Sequence, residues 1–146
     1  MFLSKSFGYA LRAILYIALT SDEKQRIPAD EIARRITVPK HFLSKIMKKM
    51  VKNGLLNSTK GPYGGFSLNG KTLSASLLEL ITITDTGAEF DSCVLRLKKC
   101  NPDHPCPLHD KLESYKKELY QIFATTTIAD LLDKDHPDFI KSLSTI

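Results

Sequence analysis

The residues with the clearest chemistry lie in one short stretch of the second half of the chain. All three cysteines, Cys93, Cys100 and Cys106, lie within it, and His109 follows with the overall spacing C-x6-C-x5-C-x2-H. Thiolate and imidazole groups are the ligands that zinc and iron–sulfur clusters take in proteins. Asparagine and proline residues between the cysteines favour turns, which would bring the ligands together. The stretch therefore predicts a metal or cluster site, with these four residues as candidate ligands.

Other roles for the cysteines fit the residues less well. Buried cysteines can pack as small apolar side chains, but charged residues and prolines flank these three. A disulfide would leave one cysteine over, and the chain has no signature of an oxidising compartment. His104 is a rival imidazole, and its position within the turn favours a solvated loop residue.

The element after the cysteines must position the last two ligands. Pro107 suits the first position of a helix, and we expect the longest helix of the chain over residues 107–125. Cys106 and His109 would then lie three residues apart on one face. Apolar residues recur along this helix at intervals of four and three, as in a coiled coil. Such a stripe could pack within its own chain, but we expect it to pack against a second copy, because DNA-reading helices usually work in pairs. The residues of this dimer stripe are Leu108, Leu112, Tyr115, Leu119 and Ile122.

Length and charge restrict the possible functions. The 146 residues suit one compact unit with its own core. No apolar run reaches the roughly 18 residues of a membrane span, and the first residues lack a secretory signal, so we expect a cytoplasmic protein. Residues 1–70 carry 12 Lys/Arg and 4 Asp/Glu, a balance of +8, whereas residues 71–146 carry 9 and 12, a balance of −3. The basic half is suited to a polyanion such as nucleic acid.

The first half contains a helix-turn-helix pattern. After a buried first helix over residues 7–20, whose apolar face includes Leu19, two shorter helices are expected over residues 28–36 and 39–53. The last of these has an apolar face that begins at Phe42 and an outer face with no acidic residue. This pattern is typical of DNA-binding proteins, although a helical hairpin with a solvated lysine face would look similar. The outer-face residues expected to contact DNA are Lys40, His41, Ser44, Lys45 and Lys48.

A β-hairpin is expected directly after these helices. Residues 55–59 and 66–68 are short strand candidates, separated by the glycine-rich turn K-G-P-Y-G-G. A helix-turn-helix followed by such a hairpin is the winged-helix arrangement. Glycines let backbone N–H groups approach phosphates closely, and a lysine adds charge. The wing residues expected to contact DNA are Lys60, Tyr63, Gly64 and Gly65.

The expected fold class is mainly α with a small β-hairpin wing: a winged helix-turn-helix plus a long dimerisation helix. We expect residues 1–84 to form the DNA-binding domain, 85–110 a cysteine-rich loop, 107–132 the dimerisation helix and a short helix, and 133–146 a polar, frayed tail. Ser76 and Glu79 make a capping-box pattern, which predicts a short helix that ends near Thr84. Thr127 and Asp130 make a similar pattern before the last short helix.

Together these residues resemble the Rrf2 family of bacterial winged-helix transcription regulators, which includes iron–sulfur regulators of the IscR and NsrR type. The matching stretches are S-F-G-Y-A-L-R-A from Ser6, E-I-A from Glu31, K-N-G-L from Lys52 and the wing K-G-P-Y-G-G-F from Lys60, together with the cysteines. The resemblance covers nearly the whole chain. It implies a homodimer that binds double-stranded DNA, with helix 39–53 in the major groove and the wing at the minor groove or the phosphates.

The resemblance also implies the cofactor and the full ligand set. The cofactor is an iron–sulfur cluster, most simply of the 2Fe-2S type, and the position of His109 matches the fourth ligand of such members. Some relatives take their remaining ligand from the first helix of the partner subunit, but residues 7–9 here offer no carboxylate. The ligands implied by motif match are Cys93, Cys100, Cys106 and His109.

The chain departs from the family pattern in three ways. Six residues separate the first two cysteines where five are common in the family. Lys60 stands where arginine is usual, which weakens any planar, two-pronged contact. Tyr63 replaces a frequent glycine and adds a stacking or phosphate contact as an option.

The leading interpretation is a transcription regulator, expected to be a repressor, whose DNA binding is controlled by an iron–sulfur cluster that senses redox state, nitric oxide or iron–sulfur status. A second interpretation keeps DNA binding but places zinc or redox-active thiols at the cysteines. The third is a cysteine-dependent enzyme, which would need a base beside a thiolate. No nucleophile motif or substrate pocket is legible, so we expect neither an enzyme nor a small-molecule substrate.

Overall fold

The computed structural model describes residues 3–20, 26–85, 90, 92–95, 101–133 and 137–143, so the candidate ligand Cys100 lies outside the described residues. The elements follow the predicted order of helices with one hairpin among them. They are α1 (Lys5–Thr20), α2 (Ala29–Ile36), α3 (Lys40–Lys52), β1 (Leu56–Thr59), β2 (Gly65–Leu68), α4 (Leu77–Thr84), α5 (His109–Thr125), a 3-10 turn (Ala129–Leu132) and α6 (Pro137–Leu143).

The hydrophobic core lies between α1, α2, α3 and α4, and Ile128 from beyond α5 completes it. The core stripe of α1 is Phe7, Ala10, Ile14 and Ile17, spaced at three and four residues as a helix requires. Leu19 and Phe42 were expected in the core, but both are exposed. Leu19 lies opposite the core stripe in the last turn of α1, and Phe42 lies at the start of α3. The ring of Phe42 packs edge-on against Tyr9, with centroids 6.1 Å apart.

The turn between α2 and α3 is fixed by its backbone. Thr37 has a left-handed conformation (φ 58°, ψ 53°), and the N–H groups of Thr37 and Val38 both point back to the carbonyl of Ala33. This pattern satisfies carbonyl groups that the helix end would otherwise leave unpaired. The guanidinium group of Arg12 donates to the carbonyl of Ile36, which ties α1 to the same turn.

The wing is a two-stranded antiparallel hairpin whose register pairs Leu56 with Leu68 and Thr59 with Gly65. A third piece of extended chain joins it, because Ile27 and Phe66 exchange two backbone hydrogen bonds of 3.0 and 2.8 Å. Strand β2 of the wing is thus hydrogen-bonded on both sides, to β1 and to the segment that leads into α2.

Helix α4 begins with the predicted capping box. The hydroxyl of Ser76 accepts the backbone N–H of Glu79 at 3.1 Å, and the carboxylate of Glu79 accepts the backbone N–H of Ser76 at 2.8 Å. Just before it, the buried hydroxyl of Thr72 donates to the carbonyl of Leu55 at 2.7 Å and accepts the N–H of Asn69 at 2.9 Å. These bonds hold α4 against the base of the wing.

The segment after α5 returns to the same region, and we call residues 126–129 the strap. Its backbone makes three hydrogen bonds with the segment before α4 and with the first residue of that helix: Ala129 N–H to Leu73 O (2.9 Å), Ile128 N–H to Ala75 O (3.0 Å) and Leu77 N–H to Thr126 O (2.9 Å). The predicted reciprocal pair of Thr127 and Asp130 is also present, at 2.8 and 3.2 Å. The strap fastens the end of α5 to the start of α4 and, through Ile128, to the core.

Two predicted boundaries differ from the structure. Helix α5 is the longest among the described residues, as predicted, but it begins at His109 because Pro107 and Leu108 still belong to a turn. The prediction of a frayed tail is wrong over Pro137–Leu143, which forms α6 with a proline at its first position and Asp138 in its first turn. None of the helices in the described ranges is long and apolar enough to cross a bilayer.

Gly65 provides a test of how the wing is anchored. A Cβ atom at this position would lie 2.5 Å from the carbonyl carbon and oxygen of Ile27, and φ is +156°. Gly65→Ala should therefore lower the free energy of unfolding by about 1–3 kcal/mol, the usual range for overpacking. Gly70→Ala is the matched control, since no atom lies within 4 Å of its added Cβ. Urea unfolding would measure both variants, and equal midpoints would show that the close approach of Gly65 to Ile27 is unimportant.

Candidate functional site

The structure brings three of the four candidate ligands to one pocket. Cys93 and His109 are buried, with 5% and 7% of their surface exposed, and Cys106 is half-buried. The backbone N–H of His109 donates to the carbonyl of Cys106 at 3.0 Å, so a single turn places both beside the start of α5. The pocket has a volume of about 510 Å³ and is lined by Phe90, Cys93, Val94, Pro102, Cys106, His109, Leu112, Glu113, Lys116, Lys117, Tyr120 and Gln121.

Aromatic rings connect this pocket to the core. Phe90 packs edge-on against Tyr120 and Phe123 of α5, with centroid distances of 5.4 and 6.0 Å. Phe123 in turn packs edge-on against Phe7 of α1, at 6.3 Å. Such T-shaped pairs add stabilisation of about 0.5–1.5 kcal/mol beyond the burial of their area. The pocket therefore has one apolar wall that is continuous with the packing of α1.

Polar contacts along the same face of α5 also line the pocket. Nε2 of His109 lies 3.6 Å from Oε2 of Glu113, and Oε1 of Glu113 lies 3.2 Å from Nζ of Lys117. The hydrogen bond and the positive charge of Lys117 lower the pKa of Glu113 below its usual value. Lys116 donates to the carbonyl of Ser92 at 2.6 Å, which holds the residue before Cys93 against the helix.

The donor set fits a thiolate- and imidazole-bound group, although the described ligands do not converge on one point. Cys93 and Cys106 are thiols. Within the parts of the chain that the structure describes, no three His, Cys, Asp or Glu side chains are close enough to hold one metal ion. The ligands of a 2Fe-2S cluster are divided between two iron atoms, so they need not converge on one position. His104 is exposed in the turn, as predicted for a loop residue.

The second candidate site is the outer face of α3. Lys40, His41, Lys45 and Lys48 are exposed, and Ser44 is half-buried. The helix itself has no acidic residue, but the neighbouring helix supplies one, because Asp30 lies 2.8 Å from the ammonium group of Lys40. This exposed ion pair contributes little to the stability of the fold. The carboxylate of Asp30 offsets part of the positive charge with which Lys40 would attract a phosphate.

A groove between α3 and the wing adds residues that sequence reasoning did not select. We call it the wing groove: it has a volume of about 350 Å³, and Val51 and Phe66 are among its lining residues. Lys48 and Lys60 were expected to contact DNA. Lys52 and the hydroxyl groups of Ser58 and Thr59 were not. The sequence signal for Lys52 was its position one helical turn after Lys48, which places the two lysines on the same face of α3. The polar lining of the wing groove is Lys48, Lys52, Ser58, Thr59 and Lys60.

The tip of the wing projects into solvent. Tyr63 is 89% exposed, so its ring is accessible to a ligand. The N–H of Gly64 donates to the carbonyl of Gly61 at 2.9 Å, and a Cβ atom at Gly64 would collide with the backbone of Thr59. Glycine is therefore required at this position by the turn itself, whether or not it also contacts DNA.

Within the described part of the chain, helix α5 leaves the predicted dimer stripe exposed or half-buried. His109 is the only buried residue of this 17-residue helix. Tyr115 is 68% exposed and Ile122 is 51% exposed, while Leu112 and Leu119 are half-buried. Leu108, just before the helix, is exposed as well. An apolar stripe of this kind is typical of a surface that meets another protein.

Comparisons with known proteins agree with this architecture. A family model named Rrf2 and described as an iron-dependent transcriptional regulator matches residues 3–134. An HTH-type transcriptional regulator of Aquifex aeolicus is 35% identical over 135 residues, which cover 91% of this chain and 92% of that protein. The HTH-type transcriptional regulator IscR of Klebsiella pneumoniae is 26% identical over 133 residues, covering 91% and 80%.

Solved structures show the same fold. CymR, the global cysteine regulator of B. subtilis, superposes with a TM-score of 0.72 at 19% identity, over 88% of this chain and 94% of that one. IscR of T. potens gives a TM-score of 0.67 at 20% identity, over 93% and 89%. These relatives and neighbours are transcription regulators, not enzymes.

The wing groove leads to a prediction about binding to double-stranded DNA. Lysine–phosphate contacts release counterions, so affinity should fall steeply with salt, and Lys60→Ala should reduce the slope of log K against log salt by about 1. Because phosphate contacts carry no sequence information, the loss should be similar for every duplex. Lys71→Ala is the control, since Lys71 follows the hairpin at the end opposite the turn of Lys60. Fluorescence anisotropy would measure both, and an equal effect of the two substitutions would argue against the wing groove.

Proposed function

The chain belongs to the Rrf2 family of transcription regulators, and from this premise we propose that it is a homodimeric, DNA-binding repressor controlled by an iron–sulfur cluster. The cluster would be of the 2Fe-2S type. When bound, it supplies a redox-active group whose loss or oxidation reports redox state, nitric oxide or iron–sulfur status. The residues that would hold it are Cys93, Cys100, Cys106 and His109.

One observation carries the proposal: Cys93, Cys106 and His109 line a single pocket at the start of α5. Two thiols and an imidazole buried or half-buried together are the donors that an iron–sulfur cluster uses. The similarity to the regulator IscR and the description of the family as iron-dependent agree with this chemistry. Zinc or redox-active thiols at the same residues are the alternative that the same donors allow.

The DNA-binding role is supported by the basic face of α3 and by the wing groove beside it. Helix α3 would enter the major groove, where His41 and Ser44 lie near its N-terminal end and could read base edges. Lys45 and Lys48 would contact phosphates, and the wing would reach the adjacent backbone through Tyr63 and Lys60. In this arrangement residues 1–84 form the DNA-binding domain.

The dimer stripe supports the homodimer. Two copies of α5 packed along this stripe would bury its residues and set the distance between the two α3 helices. Residues 85–110 would then lie beside the dimer helix of each protomer, because the pocket is built on α5 itself. A change in the cysteine loop would act on α5, and through the strap on the DNA-binding half.

The cluster assignment predicts a visible absorption spectrum, with iron and sulfide, in anaerobically purified protein. Cys93→Ala, Cys100→Ala and Cys106→Ala should each abolish it, while far-UV circular dichroism shows that the helices remain folded. His109→Ala should give a weaker, shifted spectrum, and His109→Cys should keep a cluster of lower potential, since a thiolate adds negative charge. A colourless protein that contains zinc would overturn the cluster in favour of the alternative.

The dimer assignment predicts that a charge in the dimer stripe separates the protomers. Ile122→Asp is the sharpest change, because Ile122 is 51% exposed within one chain and its replacement leaves the protomer core intact. A buried carboxylate at the interface would be strongly unfavourable. Ser114→Asp, an exposed site of α5 outside the stripe, is the control. Light scattering should give a monomer for the first variant and a dimer for the second; a monomeric wild type would contradict the proposal.

A further inference from the structure

Phe42 is an exposed aromatic residue in the first turn of α3, the helix proposed to enter the major groove. Its side chain is 47% exposed. The neighbouring residues His41 and Lys45, which are expected to contact DNA, are exposed as well. The ring of Phe42 therefore belongs to the same end of the helix as the polar groups that would read base edges.

The position of Phe42 around the axis of α3 places it on the flank opposite the wing groove. About two and a half helical turns separate Phe42 from Val51, so the two side chains leave the helix in opposite directions. Val51 and Lys48 line the wing groove. The outer face of α3 is thus bordered by lysines and the wing on one flank and by an aromatic ring on the other.

Tyr9 of α1 holds the ring of Phe42 at this edge. The two ring centroids are 6.1 Å apart and the ring planes are perpendicular, which is a favoured arrangement for aromatic pairs. Tyr9 itself is half-buried and packs against the core. A side chain that is already held in place loses less conformational freedom when it binds a ligand. Phe42 is therefore a preorganised apolar contact beside the polar residues of the reading face.

In the major groove, thymine presents a C5-methyl group that cytosine lacks, and apolar side chains, including phenylalanine, recognise it. The charged and polar side chains of α3 bind base edges or phosphates through hydrogen bonds, which do not detect this methyl group. We propose that Phe42 is a specificity-determining residue, whose ring packs against the C5-methyl group of one thymine in each half-site. This inference rests on the proposed function, because it requires α3 to lie in the major groove.

Selection of duplexes from a pool of random sequence tests the preference. Wild type should enrich thymine at one position of each half-site. Phe42→Ala should lose that enrichment and keep the preferences at other positions, and Phe42→Leu should keep part of it, since leucine still offers apolar atoms. Leu19→Ala is the matched control, because Leu19 is 44% exposed but lies about 15 Å further along α1 than Tyr9. It should select the same sequences as wild type.

Uracil in place of the selected thymine removes the methyl group and leaves every hydrogen-bonding atom of the base. Fluorescence anisotropy should show that this change weakens wild type about fourfold, the value of one buried methyl group. Phe42→Ala should bind the thymine and uracil duplexes equally. Because the ring carries no charge, the slope of log K against log salt should be the same for wild type and Phe42→Ala. A changed slope would mean that the substitution displaces the lysines of α3, and would overturn the proposal.

The outcomes separate this inference from the proposed function. If wild type selects no sequence from the pool, the proposed DNA-binding function fails and the inference fails with it. If wild type selects an operator but Phe42→Ala shows the same preferences, or if uracil weakens both proteins equally, the inference alone is overturned. Urea unfolding of Phe42→Ala confirms that any loss of preference occurs in a folded protein.

Discussion

The structure depends on the backbone pairing between the strap and the segment that leads into α4. Three hydrogen bonds join them, and Ile128 enters the core fully buried. Each bond contributes about 0.5–1.5 kcal/mol net, and burial of an isoleucine about 1.5–3 kcal/mol. Together these contributions amount to about 3–7 kcal/mol, which is comparable with or larger than the few kcal/mol that separate two conformations of a protein. Without this attachment, α5 would be joined to the DNA-binding half chiefly through α4 and the ring of Phe123.

The strap determines how a change at the cysteines could affect α3. Helix α5 is about 25 Å long, with Cys106 and His109 at its start and the strap directly after its last residue. Phe90 and Lys116 attach the cysteine loop to one side of the helix. Movement of the loop would therefore shift α5, and the strap would carry that shift to α4 and the wing. In a homodimer, the same shift would change the distance between the two α3 helices.

Much of the fold was predictable because its signals are local. The wing, the turn before α3 and the capping box of α4 depend on residues close in sequence, and the structure confirms them. Leu19 belongs to a second apolar stripe of α1, and Phe42 lies at the margin of the apolar face of α3. Both were placed wrongly because only packing decides whether such a residue is buried. Helix α6 was missed because its polar composition suggested a tail, although Pro137 is a helix-start signal.

The candidate site was predictable in its residue types but not in its surroundings. The spacing of cysteines and histidine identified the pocket, yet nothing in the sequence indicated that Lys116 would hold the loop or that Asp30 would reach Lys40. Both contacts join residues 10 or more positions apart, so they follow from tertiary packing. The i,i+4 spacing of His109 and Glu113 was visible in the sequence. The burial of the His109 ring was not, because it follows from tertiary packing.

The central claim is that the cysteine pocket and the DNA-binding half are coupled. The most direct test is the affinity of cluster-loaded and cluster-free protein for one operator duplex with two half-sites, at the same salt concentration. The account predicts dissociation constants that differ by about tenfold or more, within the usual range of coupling between sites. Ile128→Ala, which weakens the strap, should reduce that difference. Equal affinities of the loaded and cluster-free wild-type protein would contradict the account.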